Sequence, residues 1–354
     1  MGAGPVYSLE MAKALAGNSK CHLQVIINEN VINLSAWKEA FQKTDVDLQV
    51  VKAYKHTKWS VFLQFFNYKR KHHVLSLIKD FNPDVLYVPF GLMWSRYIFS
   101  FLPNQIKIIS TIHDVTPHDH FNFVEEVSKL LSKGADRHND GYVILNNKDK
   151  AIVEERYHKP VVVIPHASFS YYFRGTVQPY DITRTIGFFG RIEPYKGLDI
   201  LVEAFEKTAT KGLHLLIAGG GTIEEGLHNR IKRNKNITLI NRYIKEEEFQ
   251  PLLDKCDFVV LPYKRASQSG VIPMCFAYGK TVIASNVGAL AEQVPEGKGV
   301  ITNPNADSIA NEIDKFYAEP ELIVKYGKAA REFADKELTW DHSAELLMSF
   351  VDTI

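Results

Sequence analysis

Three cysteines among 354 residues, Cys21, Cys256 and Cys275, are too few and too widely spaced for a disulfide framework, and their odd number leaves one unpaired in any scheme. Each sits in an apolar stretch where a free thiol packs as a small hydrophobe, so a reducing, cytoplasmic setting is expected. No apolar run approaches the roughly 20 residues of a membrane-spanning helix. The opening Gly2-Ala3-Gly4-Pro5 also lacks the basic and then apolar order of a signal peptide. No internal repeat or low-complexity tract stands out. A surplus of either charge is missing as well: 42 Lys+Arg against 41 Asp+Glu give a net charge of +1, which provides no global attraction to nucleic acid. What is present is an ordinary globular composition, 45% hydrophobic and 23% charged, in a chain longer than one hydrophobic core usually supports. Two domains are the starting expectation.

One absence is local. Between Asp47 and Asp80 no acidic residue occurs, while Lys52, Lys55, Lys58, Lys69, Arg70, Lys71 and Lys79 alternate with Trp59, Phe62, Phe65, Phe66 and Tyr68. One reading is a helix whose aromatics join a core while its cations face water. The other is a surface over 52–73 that meets an anionic membrane from one side.

Short apolar, β-branched runs alternate with helical patterns almost from end to end, the signature of βα units around parallel sheets. Strands are expected at His22 to Ile27, Asp84 to Pro89, Ile106 to Thr111, Gly141 to Leu145 and Val161 to Ile164. A second series restarts with Thr185 to Phe189, Leu213 to Ala218, Ile237 to Leu239, Phe258 to Leu261 and Thr281 to Ala284. The fold class is therefore α/β with two doubly wound, Rossmann-like domains, at 1–167 and 180–339. The stretch from Pro165 to about Pro179 shows neither period and reads as the connection. Trp340 to Ile354 reads as a helix able to pack on either domain. A doubly wound domain normally opens on a strand, yet Gly2 and Gly4 directly precede a helical pattern from Val6 to Leu15, so the first strand is expected either upstream of Met1 or not at all.

Two loops carry the chemistry. Phe188-Phe189-Gly190-Arg191-Ile192-Glu193-Pro194-Tyr195-Lys196-Gly197 follows the first strand of the second domain. A glycine there permits a tight turn, and a guanidinium and an ammonium five residues apart can reach one diphosphate, although a solvated loop with two surface cations fits the spacing too. Pro262-Tyr263-Lys264-Arg265-Ala266-Ser267-Gln268-Ser269-Gly270-Val271-Ile272-Pro273 lies between a buried strand and a helix. Small residues in that place can offer free N–H groups to an anion, or simply cap the helix.

These loops, together with Tyr278-Gly279-Lys280-Thr281-Val282-Ile283-Ala284 and Val287-Gly288-Ala289-Leu290-Ala291-Glu292, resemble family 4 of the retaining glycosyltransferases, which have the GT-B fold. The resemblance is strong from Thr185 to Val294. It continues more weakly through Gly2 to Pro5, Thr111-Ile112-His113-Asp114-Val115 and Val163-Ile164-Pro165-His166. It implies transfer of a sugar from a nucleotide diphosphate donor to a glycan or lipid-linked acceptor, without a cofactor or metal. UDP-sugars are favoured over GDP-sugars, and a bacterial polysaccharide or glycolipid pathway is the implied setting. Carried over residue by residue, Arg191 and Lys196 would clasp the diphosphate beside Gly190. The backbone of Ser269, Gly270 and Val271 would bind its distal phosphate, Ser267 would belong to the same donor site, Gly2 and Gly4 would face it, and His113 would lie near the transferred sugar.

The sequence departs from the pattern at one point. Many relatives place two glutamates, with seven residues between them, where Ala266 and Met274 stand here, which also allows a non-catalytic nucleotide-sugar-binding subunit. Three further motifs have plainer accounts. His113-Asp114-Val115-Thr116-Pro117-His118-Asp119-His120 has the residue types of a transition-metal site but reads as a polar loop. Asp45-Val46-Asp47 has the Asp-x-Asp form of a metal-held diphosphate site, but the motif is short and common and lies far from the glycine-rich loops, so it reads as a helix-to-strand connection; Gly219-Gly220-Gly221 lacks the spacing of a dinucleotide fingerprint and reads as a tight strand-to-helix turn.

Overall fold

Buried β-branched strands, each followed by an amphipathic helix, give two separate parallel-sheet units. The computed structural model describes residues 4–52, 67–90, 95–115, 134–169 and 181–354. One unit comprises Met1–Pro165 with Trp340–Ile354, and the other His166–Thr339.

The first unit runs α1 (Gly4–Gly17), β1 (Gln24–Asn28), α2 (Leu34–Phe41), β2 (Asp47–Val51), α3 (Tyr68–Phe81), β3 (Val85–Val88), α4 (Ser95–Ser100), β4 (Lys107–Ile112), β5 (Gly141–Ile144), α5 (Lys150–Tyr157) and β6 (Val161–Val163). β1 and β2 form one parallel pair, and β3-β4-β5-β6 form a parallel sheet of four strands. The basic, aromatic stretch is helical from Tyr68 onward, while Trp59, Phe62, Phe65 and Phe66 lie outside the described residues. Asn67 caps this helix by accepting from Arg70 N–H, and Asn82 ends it in the left-handed conformation. The expectation that all its cations face water fails at Lys71, which is 3% exposed with its ammonium 5.2 Å from the ring centroids of Tyr68 and Tyr97. Cation–π attraction and a buried aliphatic stem explain that placement.

The second unit runs β7 (Thr185–Phe189), α6 (Leu198–Lys207), β8 (His214–Ala218), α7 (Glu225–Arg233), β9 (Ile237–Ile240), α8 (Glu246–Leu253), β10 (Phe258–Leu261), α9 (Val271–Ala277), β11 (Thr281–Ser285), α10 (Leu290–Gln293), β12 (Val300–Thr302), α11 (Ala306–Ala318) and α12 (Pro320–Glu337). Its six strands are parallel in the order β12-β11-β10-β7-β8-β9. Alternate residues supply two core layers. Ile186, Phe188, Ile217, Phe258 and Val260 pack with Leu201, Phe205, Ile313 and Phe316 of α6 and α11. Phe189, Leu216, Val259, Leu261 and Val282 pack with Ile272, Phe276, Ala330 and Ala334 of α9 and α12. Both faces of the sheet are thus covered, as parallel sheets require.

α13 (Trp340–Val351) belongs to the first unit, where Trp340 meets Tyr7 of α1 edge-on at 5.0 Å between ring centroids. The start of the stretch expected to be a connection packs within the second unit: Ala167 and Phe169 are buried and Ser168 N–H donates to the Leu338 carbonyl at 2.9 Å. Residues 170–180 lie outside the described set.

A buried carboxylate fixes the start of β7 beside β10. Asp257, 4% exposed, accepts from Thr183 N–H at 2.7 Å, the Thr183 hydroxyl at 3.0 Å, Thr185 N–H at 3.1 Å and the Tyr317 hydroxyl at 2.9 Å. Asp257→Ala leaves those donors unsatisfied, and equilibrium urea denaturation is expected to show about 2–4 kcal/mol less stability. A loss below about 0.5 kcal/mol would remove this role for the carboxylate.

Candidate functional site

The chain leaves β7 toward β8 and leaves β10 toward β11, in opposite directions along the sheet, although β7 and β10 are neighbours. Two loops at the carboxyl ends of such strands diverge and leave a crevice, where open α/β sheets bind ligands. The two loops are the ones carrying Arg191/Lys196 and Ser267–Val271. They pack closely. Gly197 has φ of +69° and its Cα faces the Pro262 carbonyl so nearly that any Cβ would strike it, while the Tyr195 carbonyl accepts from Lys264 N–H at 2.8 Å. On the other side Gly219 and Gly221 press against the carbonyls of Gly190 and Ile192, so the triple glycine is a close-packing turn. A Cβ at Gly190 would sit 3.7 Å from Val271 Cγ2, which brings the head of α9 alongside Arg191.

Lys196 follows a turn of 3-10 helix, Pro194–Lys196, and is half-buried. Its Nζ stands 3.7 Å from the centroid of the Tyr263 ring and 5.3 Å from that of Tyr195. Desolvation, with the nearby Arg191 charge in second place and partly opposed by Glu193, pulls its pKa from 10.5 to about 7. Arg191 is exposed, with a guanidinium nitrogen 3.9 Å from a Glu193 carboxylate oxygen. Such an exposed pair is weak and yields readily to a stronger anion.

Tyr263 is buried and joins the two loops. The Tyr263 and Ser269 hydroxyls are hydrogen-bonded at 3.2 Å, and Ser269 Oγ accepts from Val271 N–H at 3.3 Å. Gln293 then grips the Ser269 main chain twice: its Oε1 accepts from Ser269 N–H at 2.7 Å and its Nε2 donates to the Ser269 carbonyl at 3.2 Å. The Ser269 and Val271 amides thus each have an acceptor within the chain. Ser267 and Gly270 are half-buried in the same turn, and Gln268 Oε1 is buried with no hydrogen-bond partner among the described residues. Of the positions that hold glutamates in the resembled pattern, Met274 lies in the core and Ala266 packs against it. Lys264 is engaged with Asp199 at 2.7 Å.

Sequence reasoning assigned no role to Gln293, to His166 or to the ring of Tyr263. His166 is buried, its Nδ1 lies 2.7 Å from the Ala167 carbonyl, and its Nε2 would be 3.6 Å from a Cβ on Gly270. The only sequence signal for it was Pro165-His166 directly after a strand.

In the first unit, His113 follows β4 and hydrogen-bonds through Nε2 to the Pro89 carbonyl at 2.7 Å. Its ring stacks on Phe90 at 3.9 Å and meets Tyr7 edge-on at 5.1 Å. Burial lowers its pKa, with Pro89 and Asp114 opposing, so the neutral imidazole is favoured. Gly4 lies against the same Phe90, at 3.2 Å from a built Cβ, whereas Gly2, His118, Asp119 and His120 lie outside the described residues. Among the described residues no group of His, Cys, Asp or Glu could hold a metal. Asp47 is occupied by Gln24 Nε2 at 2.7 Å and Gln49 Nε2 at 2.5 Å, as suits a strand start rather than a cation site.

Two α/β units with parallel sheets, of which the second is doubly wound, match the GT-B architecture. The structure is similar over its whole length to that of Anabaena HepE in complex with UDP, with a TM-score of 0.72, 16% identity, and coverage of 100% of this chain and 97% of that one. Residues 183–319, which contain both loops, match the family model of glycosyl transferases group 1. A GDP-mannose:glycolipid 4-beta-D-mannosyltransferase of Xanthomonas campestris pv. campestris is 22% identical over 198 residues, 54% of each chain. A D-inositol 3-phosphate glycosyltransferase of Gordonia bronchialis is 27% identical over 214 residues, 53% of this chain and 46% of that one. The alignments span about half the length of these curated relatives.

A lysine with a pKa of about 7 is mostly uncharged, and so nucleophilic, at pH 8. Limited acetylation read by peptide mass spectrometry is expected to label Lys196 ahead of exposed lysines, with reactivity rising through about pH 7. Arg191→Ala should move that midpoint upward, since the guanidinium depresses it. Reactivity that appears only at the pH of ordinary lysines would refute the desolvated ammonium.

Proposed function

We propose that this protein is a retaining, metal-independent glycosyltransferase that moves a sugar from a nucleotide diphosphate donor to a hydroxyl of a glycan or lipid-linked acceptor. The observation that carries this reading is the desolvated Lys196 ammonium, set with Arg191 and the Ser267–Val271 turn at the reversal point of a doubly wound sheet. A diphosphate bears charge that a guanidinium fork and a point cation can meet together. The unpartnered Gln268 Oε1 suits a ligand hydroxyl or amide donor. The family match over 183–319, the GDP-mannose donor named for one relative and the glycosyltransferase activity named for another support the same reading. UDP-sugars are favoured over GDP-sugars, and the HepE complex is in line with that choice.

In this mechanism the bond between the anomeric carbon and the β-phosphate oxygen breaks ahead of attack. The acceptor oxygen bonds the same face of the sugar, and its proton passes to the departing phosphate oxygen. Charge therefore develops on the leaving diphosphate, where preorganised cations lower the barrier most. Arg191 and Lys196 have that part, and neutral His113 has that of a hydrogen-bonding group near the sugar. Arg191→Ala or Lys196→Ala is expected to lower turnover roughly 10²- to 10³-fold in a donor-saturated transfer assay. Wild-type turnover in both variants would refute the assignment.

A specific observation also favours peripheral contact with an anionic membrane near residues 52–73. Tyr68 and Phe101 are 62% and 55% exposed, and Tyr97 lies between them, 6.3 and 4.9 Å away by ring centroids. Lys69 and Arg70 flank them on α3. Exposed aromatics beside cations suit an anionic headgroup layer, where a lipid-linked acceptor would sit. Flotation with phosphatidylglycerol-rich liposomes should carry the protein up, and Tyr68→Ser with Phe101→Ser should weaken this several-fold. Absence of flotation at low salt would exclude the membrane reading.

A further inference from the structure

Resting on the proposed donor site, we infer that Tyr263 and Gln293 are positioning residues that fix the distance between the Lys196 cation and the Ser269–Gly270 turn. Neither need touch the donor.

Tyr263 serves both loops with different parts of one side chain. Its ring face supports the Lys196 ammonium at 3.7 Å, and its hydroxyl is joined to Ser269 Oγ at 3.2 Å. The side chain is 1% exposed, so its position is set by the core rather than by solvent. A buried phenol with two such attachments ties the lysine and the serine to one rigid body. Gln293 completes the arrangement from below the turn. Its carboxamide satisfies both the N–H and the carbonyl of Ser269, at 2.7 and 3.2 Å, as a neighbouring strand would. A carboxylate there could accept from the N–H but would repel the carbonyl and any incoming phosphate. An amide is the side chain that holds the loop without adding charge beside an anion site. The partial desolvation of Lys196 fits the same design, since an ammonium set against an aromatic face and partly withdrawn from water binds an arriving anion more strongly than a fully hydrated one.

The test measures UDP and GDP affinity by calorimetry for wild type, Arg191→Ala, Lys196→Met, Tyr263→Phe, Tyr263→Leu and Gln293→Met, with thermal melts to verify folding. Tyr263→Phe keeps the ring and loses one hydrogen bond, so binding should weaken about 2- to 10-fold. Tyr263→Leu loses the ring as well and should weaken it about 10- to 100-fold. Gln293→Met loses two hydrogen bonds at a half-buried position and should weaken it about 5- to 50-fold. The decisive readout is coupling: in a Lys196→Met background Tyr263→Leu should lose most of its further effect, whereas Gln293→Met should keep its own.

Full additivity of Tyr263→Leu with Lys196→Met, or unchanged affinity in folded Tyr263→Leu and Gln293→Met, overturns the positioning roles. If those variants bind normally while Arg191→Ala does not, only this inference falls. If wild type binds neither nucleotide, the donor-site reading falls and takes the inference with it.

Discussion

The pairing of β7 with β10 is the constraint on which the second unit depends. The register sets Ile186 against Phe258 and Gly187 against Val259, and Gly187 has no room for a side chain because Phe189 and Cys256 occupy that space. Once these strands are neighbours, the loops that follow them must start side by side and then part. Everything assigned to the site follows from that divergence: Lys196 comes to lie over Tyr263, Gly190 beside Val271, and Pro262 under Gly197. Asp257 secures the start of the pair by gathering donors from the approach to β7 and from α11.

In the proposed site a cation is prepared for an anion. An ammonium in water has little to gain from a phosphate, because hydration already satisfies it. Lys196 has exchanged part of that hydration for aromatic faces, at the expense of its own basicity. Arg191 is exposed and meets only the Glu193 carboxylate, at 3.9 Å. The two cations thus differ in setting, one against aromatic rings and the other at the surface.

Much of the architecture was legible in the order of residues. All ten strands read from β-branched runs are present, with ends displaced by at most two residues. β2 was read only as the strand to which Asp45-Val46-Asp47 leads, and β12, three partly buried residues, went unread. The two loops were legible because glycine, arginine, lysine and small residues stand at the ends of buried strands. The parts that hold them were not, since Gln293 lies 24 residues from Ser269 and His113 lies 24 residues from Pro89. Such partners meet only through the topology. The stretch 52–73 was misread in one respect: sequence spacing counted Lys71 with the solvent-facing cations, but Tyr68 and Tyr97 enclose it.

The return of α13 to the first unit has a consequence for the order of assembly. Gly141, at the start of β5, carries no side chain and Phe350 fills the space where one would be, while Trp340 closes on Tyr7. The earlier segment of that unit, Met1–Pro165, therefore completes its packing only when α13 arrives, and the whole of the second unit, His166–Thr339, lies between them in the chain. Folding in the direction of synthesis would then finish the second unit before the first.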